Sequence, residues 1–310
     1  MSETPSRYVV GFDLGTTNSA VCYVDTEEKP WRVRVFAVPQ LTAPGVIEAR
    51  ETLPSFHYEP TAAEAGSGAI RLPWGSEKDL ASATEMARRK GKGDAGDRAS
   101  PHIVGVLARE QGLSAPGRMI GSAKSWLCHT GVDRTAALLP WQGAVDVERL
   151  SPLEVSARYL RHVRAAWNAQ HPGHPLELQD FVLTLPASFD EVARELTVKA
   201  AALAGLPRVV LIEEPQAAFY AWIYAHSADW ESLVKAGQKI LVCDIGGGTS
   251  DFTLIRVRTG GEEKVQFHRV AVGEHLILGG DNFDLALAHY LEQKLAGGAP
   301  VRPGSGDSGA

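Results

Sequence analysis

The chain has 310 residues, room for one large or two ordinary domains, and its 44% hydrophobic content can fill a sizeable core, which excludes a disordered chain. A formal net charge of −6 argues against nucleic acid as a partner, because phosphate contacts want a basic face. No run of about 18 apolar residues is present, so no membrane span or membrane partner is expected, and the opening MSETPSRYVV lacks the basic and apolar stretches of a signal peptide.

The first pattern is YVVGFDLGTTNSAVCYV, Tyr8 to Val24. It reads as a β-hairpin whose apolar first strand is central in a sheet and whose Gly–Thr turn lets backbone approach a ligand. Residues Glu59 to Pro101, with RRKGKGDAGDRAS, read as a polar surface loop or insertion. GKGDAG (Gly91–Gly96) has the dinucleotide glycine spacing but follows no apolar strand, so it carries no nucleotide role. From Ser151 the chain alternates. Ser151 as N-cap, Pro152 in the first turn and Glu154 closing a capping box start a helix. His171 and His174, in HPGHP, sit in a turn without further metal ligands. DFVLTLP (Asp180–Pro186) is a strand. A helix follows, capped by Asp190, with Val192, Leu196, Ala200 and Leu203 at helical spacing and Gly205 as its stop. RVVLIEEP is a strand, and Pro215 opens another helix. Strand–helix–strand–helix order implies an α/β fold.

ILVCDIGGGTSDFTLI (Ile240–Ile255) then repeats the first pattern, with Asp244 matching Asp13 and Gly246 matching Gly15. The three cysteines, Cys22, Cys128 and Cys243, are an odd count without metal spacing, which suits a reducing, cytoplasmic location. Cys22 and Cys243 read as core residues of these apolar strands. The end, GGAPVRPGSGDSGA, reads as a flexible tail, and its GDSG lacks the fixed base that a nucleophile needs.

A Gly–Thr turn after a strand points N–H groups at one spot and makes an anion nest. An Asp beside phosphate repels it unless a divalent cation lies between, and Mg²⁺ takes that place with one or two carboxylates, waters and phosphate oxygens. Two such hairpins face to face would grip a polyphosphate, with Asp13 and Asp244 flanking the metal.

GFDLGTTNSAV and CDIGGGTSDFTL resemble the two phosphate-binding segments of the actin-like ATPase superfamily. LTLPASFDEVARELTVKAAALAG, VVLIEEPQAAFYAW and LGGDNFD narrow the resemblance to the DnaK-like, seventy-kilodalton heat-shock chaperones. It covers roughly residues 7–60 and 100–290. The resemblance implies an ATP/ADP-binding, Mg²⁺-dependent ATPase module of a chaperone that assists protein folding. Its fold would be the two-lobed, ribonuclease H-like α/β fold. The first lobe core would be 7–45 and 151–237, an inserted subdomain 46–150, a partial second lobe 238–296 and a tail 297–310.

The same resemblance implies residue roles. Gly15, Thr16, Thr17 and Asn18 would line one phosphate hairpin, Gly246, Gly247, Gly248 and Thr249 the other, and Gly279 and Gly280 would join them. Asp13 and Asp244 would hold Mg²⁺, largely through water. Lys124 in GSAKSWL would steady the γ-phosphate, while Glu214, Asp251 and Thr249 serve the attacking water and its surroundings. Pro186 and Arg194 would relay nucleotide state, although Glu213 and Gln216 replace the family's Asn and Thr. Phosphoryl transfer to water needs positioning and charge neutralisation rather than covalent help, and this set can supply both. The family's adenosine-contacting and peptide-binding segments lie beyond the last motif, so poor nucleotide affinity is expected. Unfolded polypeptides and co-chaperones would be reached through those absent parts. A sugar or acid kinase of the superfamily would need a substrate-binding segment that is not seen, and an inactive actin-like scaffold is the remaining alternative.

Overall fold

A computed structural model describes residues 6–74, 101–129, 131–259, 265–273, 276 and 278–296. Its strands are β1 (Tyr8–Asp13), β2 (Asn18–Asp25), β3 (Arg34–Val35), β4 (Val38–Ala43), β5 (Val46–Arg50), β6 (Thr52–Pro54), β7 (His57–Tyr58), β8 (Ile103–Val104), β9 (Met119–Ile120), β10 (Asp180–Leu185), β11 (Val209–Glu213), β12 (Lys239–Ile245), β13 (Ser250–Thr259) and β14 (Val265–Val272). Its helices are α1 (Ala62–Gly66), α2 (Val106–Ser114), α3 (Ala123–Cys128), α4 (Pro152–Gln170), α5 (Glu191–Leu203), α6 (Glu214–Ala225), α7 (Trp230–Leu233) and α8 (Gly280–Leu295). The class is mixed α/β. The GKGDAG string and the tail from residue 297 lie outside the described residues.

The largest sheet runs β11-β10-β1-β2-β3, with β6 also pairing β2. β1 pairs β10 in parallel and β2 antiparallel. Side chains alternate across a strand, so Val10, Phe12 and Leu14 share one face with Phe181 and Leu183 and bury themselves against Val155, Leu160, Val163 and Trp167 of α4. Each such side chain stabilises the fold by about 1.5–3 kcal/mol. The capping box starts α4 as its residues dictate. The Ser151 hydroxyl accepts from Glu154 N at 3.1 Å, and the Glu154 carboxylate accepts from Ser151 N at 2.8 Å. The HPGHP turn serves packing: Trp167 Nε1 donates to the His174 carbonyl at 2.9 Å, and the His171 ring stacks on Trp167 at 4.0 Å.

α5 forms where expected, with the Asp190 carboxylate accepting from Ala193 N at 2.7 Å and Gly205 beyond its end at φ +81°. Its buried stripe is rotated from the expected one. Leu196 and Ala200 are buried, but Val192 and Leu203 are exposed, and Ala193, Thr197 and Ala201 take the inner places. Small residues fit where α5 packs closely on α4.

β12, β13 and β14 make a separate antiparallel sheet. On one face Ile255 and Val257 are buried, and Phe267 meets Phe219 of α6 edge to face at 4.5 Å. On the other face Leu241 and Ile245 are 59% and 64% exposed. Cys243 lies between them and is exposed, which corrects its reading as a core residue; Cys22 is half-buried, on the β2 face turned away from α4. Among the described residues no helix is long and apolar enough to cross a membrane.

Candidate functional site

The two hairpins share one turn length and one strand register. In the first, four residues, Leu14 to Thr17, separate the strands and Asp13 pairs with Ala20; in the second, Gly246 to Thr249 separate them and Asp244 pairs with Asp251. Each partner lies seven residues beyond its Asp. Gly246 N closes the second turn on the Thr249 carbonyl at 2.8 Å. In the first, a Cβ on Gly15 would lie 1.9 Å from the Asn18 carbonyl oxygen, so only glycine fits there.

The turns meet head-on. A Cβ on Gly247 would stand 1.8 Å from Thr17 Oγ1, and one on Gly248 would stand 2.8 Å from Thr16 Cγ2. The Thr17 hydroxyl is buried at this junction without a hydrogen-bond partner. Gly279 packs behind the second turn, where a Cβ would come within 2.4 Å of the Gly247 carbonyl. Gly280 N and Asp281 N at the start of α8 donate to the Gly246 and Gly247 carbonyls at 3.0 and 2.8 Å. Gly279 and Gly280 thus support the turn from behind.

Charged groups gather beside the junction. Lys124 sits on α3, which Ala123 and Leu127 anchor in the core. Its side chain is only 9% exposed and its ammonium pairs with the Glu214 carboxylate at the start of α6. Burial opposes the Lys124 charge, but Glu214 and Asp13 outweigh it and raise its pKa. Glu214 is pushed up to about 7, first by burial, with Asp13 and Asp244 adding repulsion and Lys124 opposing. Burial and then Asp13 also raise Asp244, while Lys124 and a hydrogen bond from Glu214 hold it down. Asp13, Asp244, Glu214 and Lys124 therefore share one electrostatic site. Glu214 and Asp244, both partly desolvated, stand beside the exposed Asp13, and carboxylates this close together favour a cation.

Two residues that sequence reasoning missed hold these carboxylates. Thr184 on β10 donates to Asp13 Oδ1 at 2.6 Å, and Ser188 donates to Asp251 Oδ1 at 2.7 Å. A lone hydroxyl in the apolar run DFVLTLP was the available signal for Thr184. Asp251 itself is buried, and Asn18 opens β2 with its side chain exposed. Pro186 is buried at the end of β10. Arg194 stands outside this group: its guanidinium donates to Phe189 O at 3.2 Å and Glu213 Oε1 at 3.0 Å.

Comparison with known proteins identifies the family of the chain. The family model described as Hsp70 protein matches residues 109–299, more than half of the chain. A Chaperone protein HscA homolog of Pseudomonas paraeruginosa is 31% identical over 299 residues, covering 96% of this chain and 39% of the relative. Chaperone protein HscA of Edwardsiella ictaluri is 34% identical over 208 residues, 63% of this chain and 31% of the relative. The chain thus spans well under half the length of these curated relatives. It belongs to the Hsp70 protein family.

Proposed function

We propose that this chain is the ATP-binding and ATP-hydrolysing module of an Hsp70-type chaperone, with the two-lobed actin-like fold. The observation that carries this reading is the head-on meeting of the two Gly–Thr turns beside Asp13, Asp244, Lys124 and Glu214. In this reading the six-stranded sheet with its inserted segment forms one lobe, the β12–β14 sheet belongs to the second, and the triphosphate lies between the turns.

The donor set fits Mg²⁺. Asp13 and Asp244 come from opposite hairpins, and the buried Thr17 hydroxyl lacks a partner. Among the described residues no three His, Cys, Asp or Glu groups form a direct metal cage. Mg²⁺ suits such a site, because it keeps several waters and takes one or two carboxylates together with phosphate oxygens. When bound it would neutralise phosphate charge. Lys124 would turn from Glu214 toward the γ-phosphate, and Glu214, freed of that pairing, would orient water. Backbone N–H groups of the two turns would hold the phosphates.

The HscA relatives are named as chaperone proteins; on that basis unfolded polypeptides and co-chaperones are the proposed partners of the whole protein, in the cytoplasm. The test is titration of fluorescent ATP with and without Mg²⁺, followed by phosphate release. ATP binding of any strength should require Mg²⁺, Asp13→Ala should abolish that Mg²⁺-dependent binding, and Lys124→Ala should abolish release. Metal-independent binding, or release untouched by Lys124→Ala, would refute the proposal.

A further inference from the structure

We infer that Glu213 is a positioning residue: it holds Arg194 and Arg269 at once, ties the two sheets at the junction of β11 and α6, and so fixes where Glu214 stands against Lys124. The catalytic part of this inference rests on the proposed ATPase reading; the tie itself does not.

Glu213 ends β11 and occupies the N-cap position of α6 with extended backbone, but its side chain caps no helical N–H. Its carboxylate is instead shared. Oε1 accepts from Arg194 of α5 at 3.0 Å, and Oε2 accepts from Arg269 of β14. Arg194 belongs to the helix layer over the six-stranded sheet, and Arg269 belongs to the other sheet. A two-oxygen acceptor with a guanidinium on each oxygen spans that gap. The Glu213 side chain is only 18% exposed. Burial would push its carboxyl up, yet Arg269 and Arg194 hold it below its ordinary range. Arg194 is itself anchored to the Phe189 carbonyl, so the clamp has a fixed end on α5 and a second end on β14.

Glu213 and Glu214 are consecutive, about 3.8 Å apart at Cα, and their side chains serve different partners. Glu213 takes the arginines and Glu214 takes Lys124. Buried Pro215 follows at the first turn of α6 with its φ fixed. A junction this short and stiff cannot shift for one glutamate without shifting for the other. Loss of the Arg269 end would free the β11–α6 junction on the side facing the second sheet. Loss of the Arg269 cation would then be felt at Glu214.

The experiment uses Arg269→Ala and Arg269→Lys in the full chain. Without nucleotide, amide exchange at Leu211–Glu213 and in α6 should speed up about tenfold in R269A, with α4 unchanged, because a local opening becomes easier. R269K, which keeps a cation for Oε2, should restore most of the protection. With ATP, R269A should lower kcat about tenfold while KM stays within about twofold, the mark of a lost interaction made in the transition state. Exchange equal to that of the unmodified chain, or an equal rise in α4, would overturn the clamp. Unchanged kcat in R269A, where the unmodified chain hydrolyses ATP, would overturn the positioning role. Should the unmodified chain hydrolyse no ATP at all, the ATPase reading falls by itself and the exchange result decides the clamp.

Discussion

The two hairpins share a turn length, a strand register and an aspartate, yet one is packed on a core and the other has a bare face. In and just after β1 the residues on the face away from Asp13 are Val10, Phe12 and Leu14, all buried beneath helices. Their counterparts around Asp244 in β12 are Leu241, Cys243 and Ile245, all exposed among the described residues. α8 also shows Phe283, Leu287 and Leu291 to solvent. The Asp-bearing faces do the same thing in both copies and meet at the turns. An apolar strand pattern therefore encodes a strand and a side, while cover for that side comes from other parts of the fold. Turn length and strand register are set locally, which is why those two features repeat.

Shortening the residue before each aspartate should affect the two hairpins most unequally. Phe12→Ala empties a fully buried site and should cost about 3–5 kcal/mol in urea unfolding. Cys243→Ala at the matching, exposed position should change stability by less than about 0.5 kcal/mol. A cost at Cys243 approaching that at Phe12 would mean that the β12 face is packed in solution and that the contrast between the copies is false.

The turns allow a second contrast. Gly15→Ala drives a Cβ to 1.9 Å from a backbone carbonyl, which cannot swing aside, so about 1–3 kcal/mol should be lost. Gly246→Ala meets the matching Thr249 carbonyl at an ordinary 3.5 Å and should cost under about 0.5 kcal/mol. Equal costs in the same unfolding assay would show that the two turns are under the same constraint after all.

What the residues themselves revealed was local. The Ser151–Glu154 box, Asp190 as a cap, Gly205 as a stop and Pro215 at a helix start each depend on neighbours within about four residues, so each was legible. The pairing of Asp13 with Asp244 came from a repeated motif, which is a rare long-range signal. The partners that fix the aspartates were hidden: Thr184 is an ordinary hydroxyl until parallel pairing of β1 with β10 sets it beside Asp13, and Ser188 until the fold brings it to Asp251 of β13. Arg269 looks like any basic residue of a strand, and its tie to Glu213 crosses between sheets. The α5 stripe was misjudged because alanines carry the closest packing while larger Val192 and Leu203 point outward. Apolar periodicity weights bulky residues and overlooks small ones.

The carboxylates that the hairpins bring together give a pH signature. Glu214 has a folded-state pKa of about 7, above its value of about 4.3 in an unfolded chain. The folded protein therefore binds more protons over that interval, and this contribution to stability is full below about pH 4.3 and lost as pH rises through about 7. Asp244, also raised, acts with the same sign. Unfolding at pH 5 and pH 8 should show the unmodified chain losing about 2 kcal/mol more than Glu214→Gln does. Parallel losses in the two proteins would show that Glu214 is not held in this crowded, desolvated place.

The smallest effect tests the meeting of the hairpins directly. Gly247→Ala pushes a Cβ to 1.8 Å from Thr17 Oγ1, so it should strain both turns together. Thr17→Ala removes that oxygen, which is buried and unpaired and so contributes no hydrogen bond of its own. In a chain carrying both changes the new methyl occupies the space the hydroxyl gave up. The double variant should be more stable than the sum of the single effects by about 1 kcal/mol, because residues in contact couple and distant ones add. Gly273→Ala, whose Cβ would meet only Phe252 at 3.4 Å, serves as the control and should add to Thr17→Ala without coupling. Plain additivity at Thr17 and Gly247 would separate the two turns in solution, and would undo the single phosphate site proposed for them.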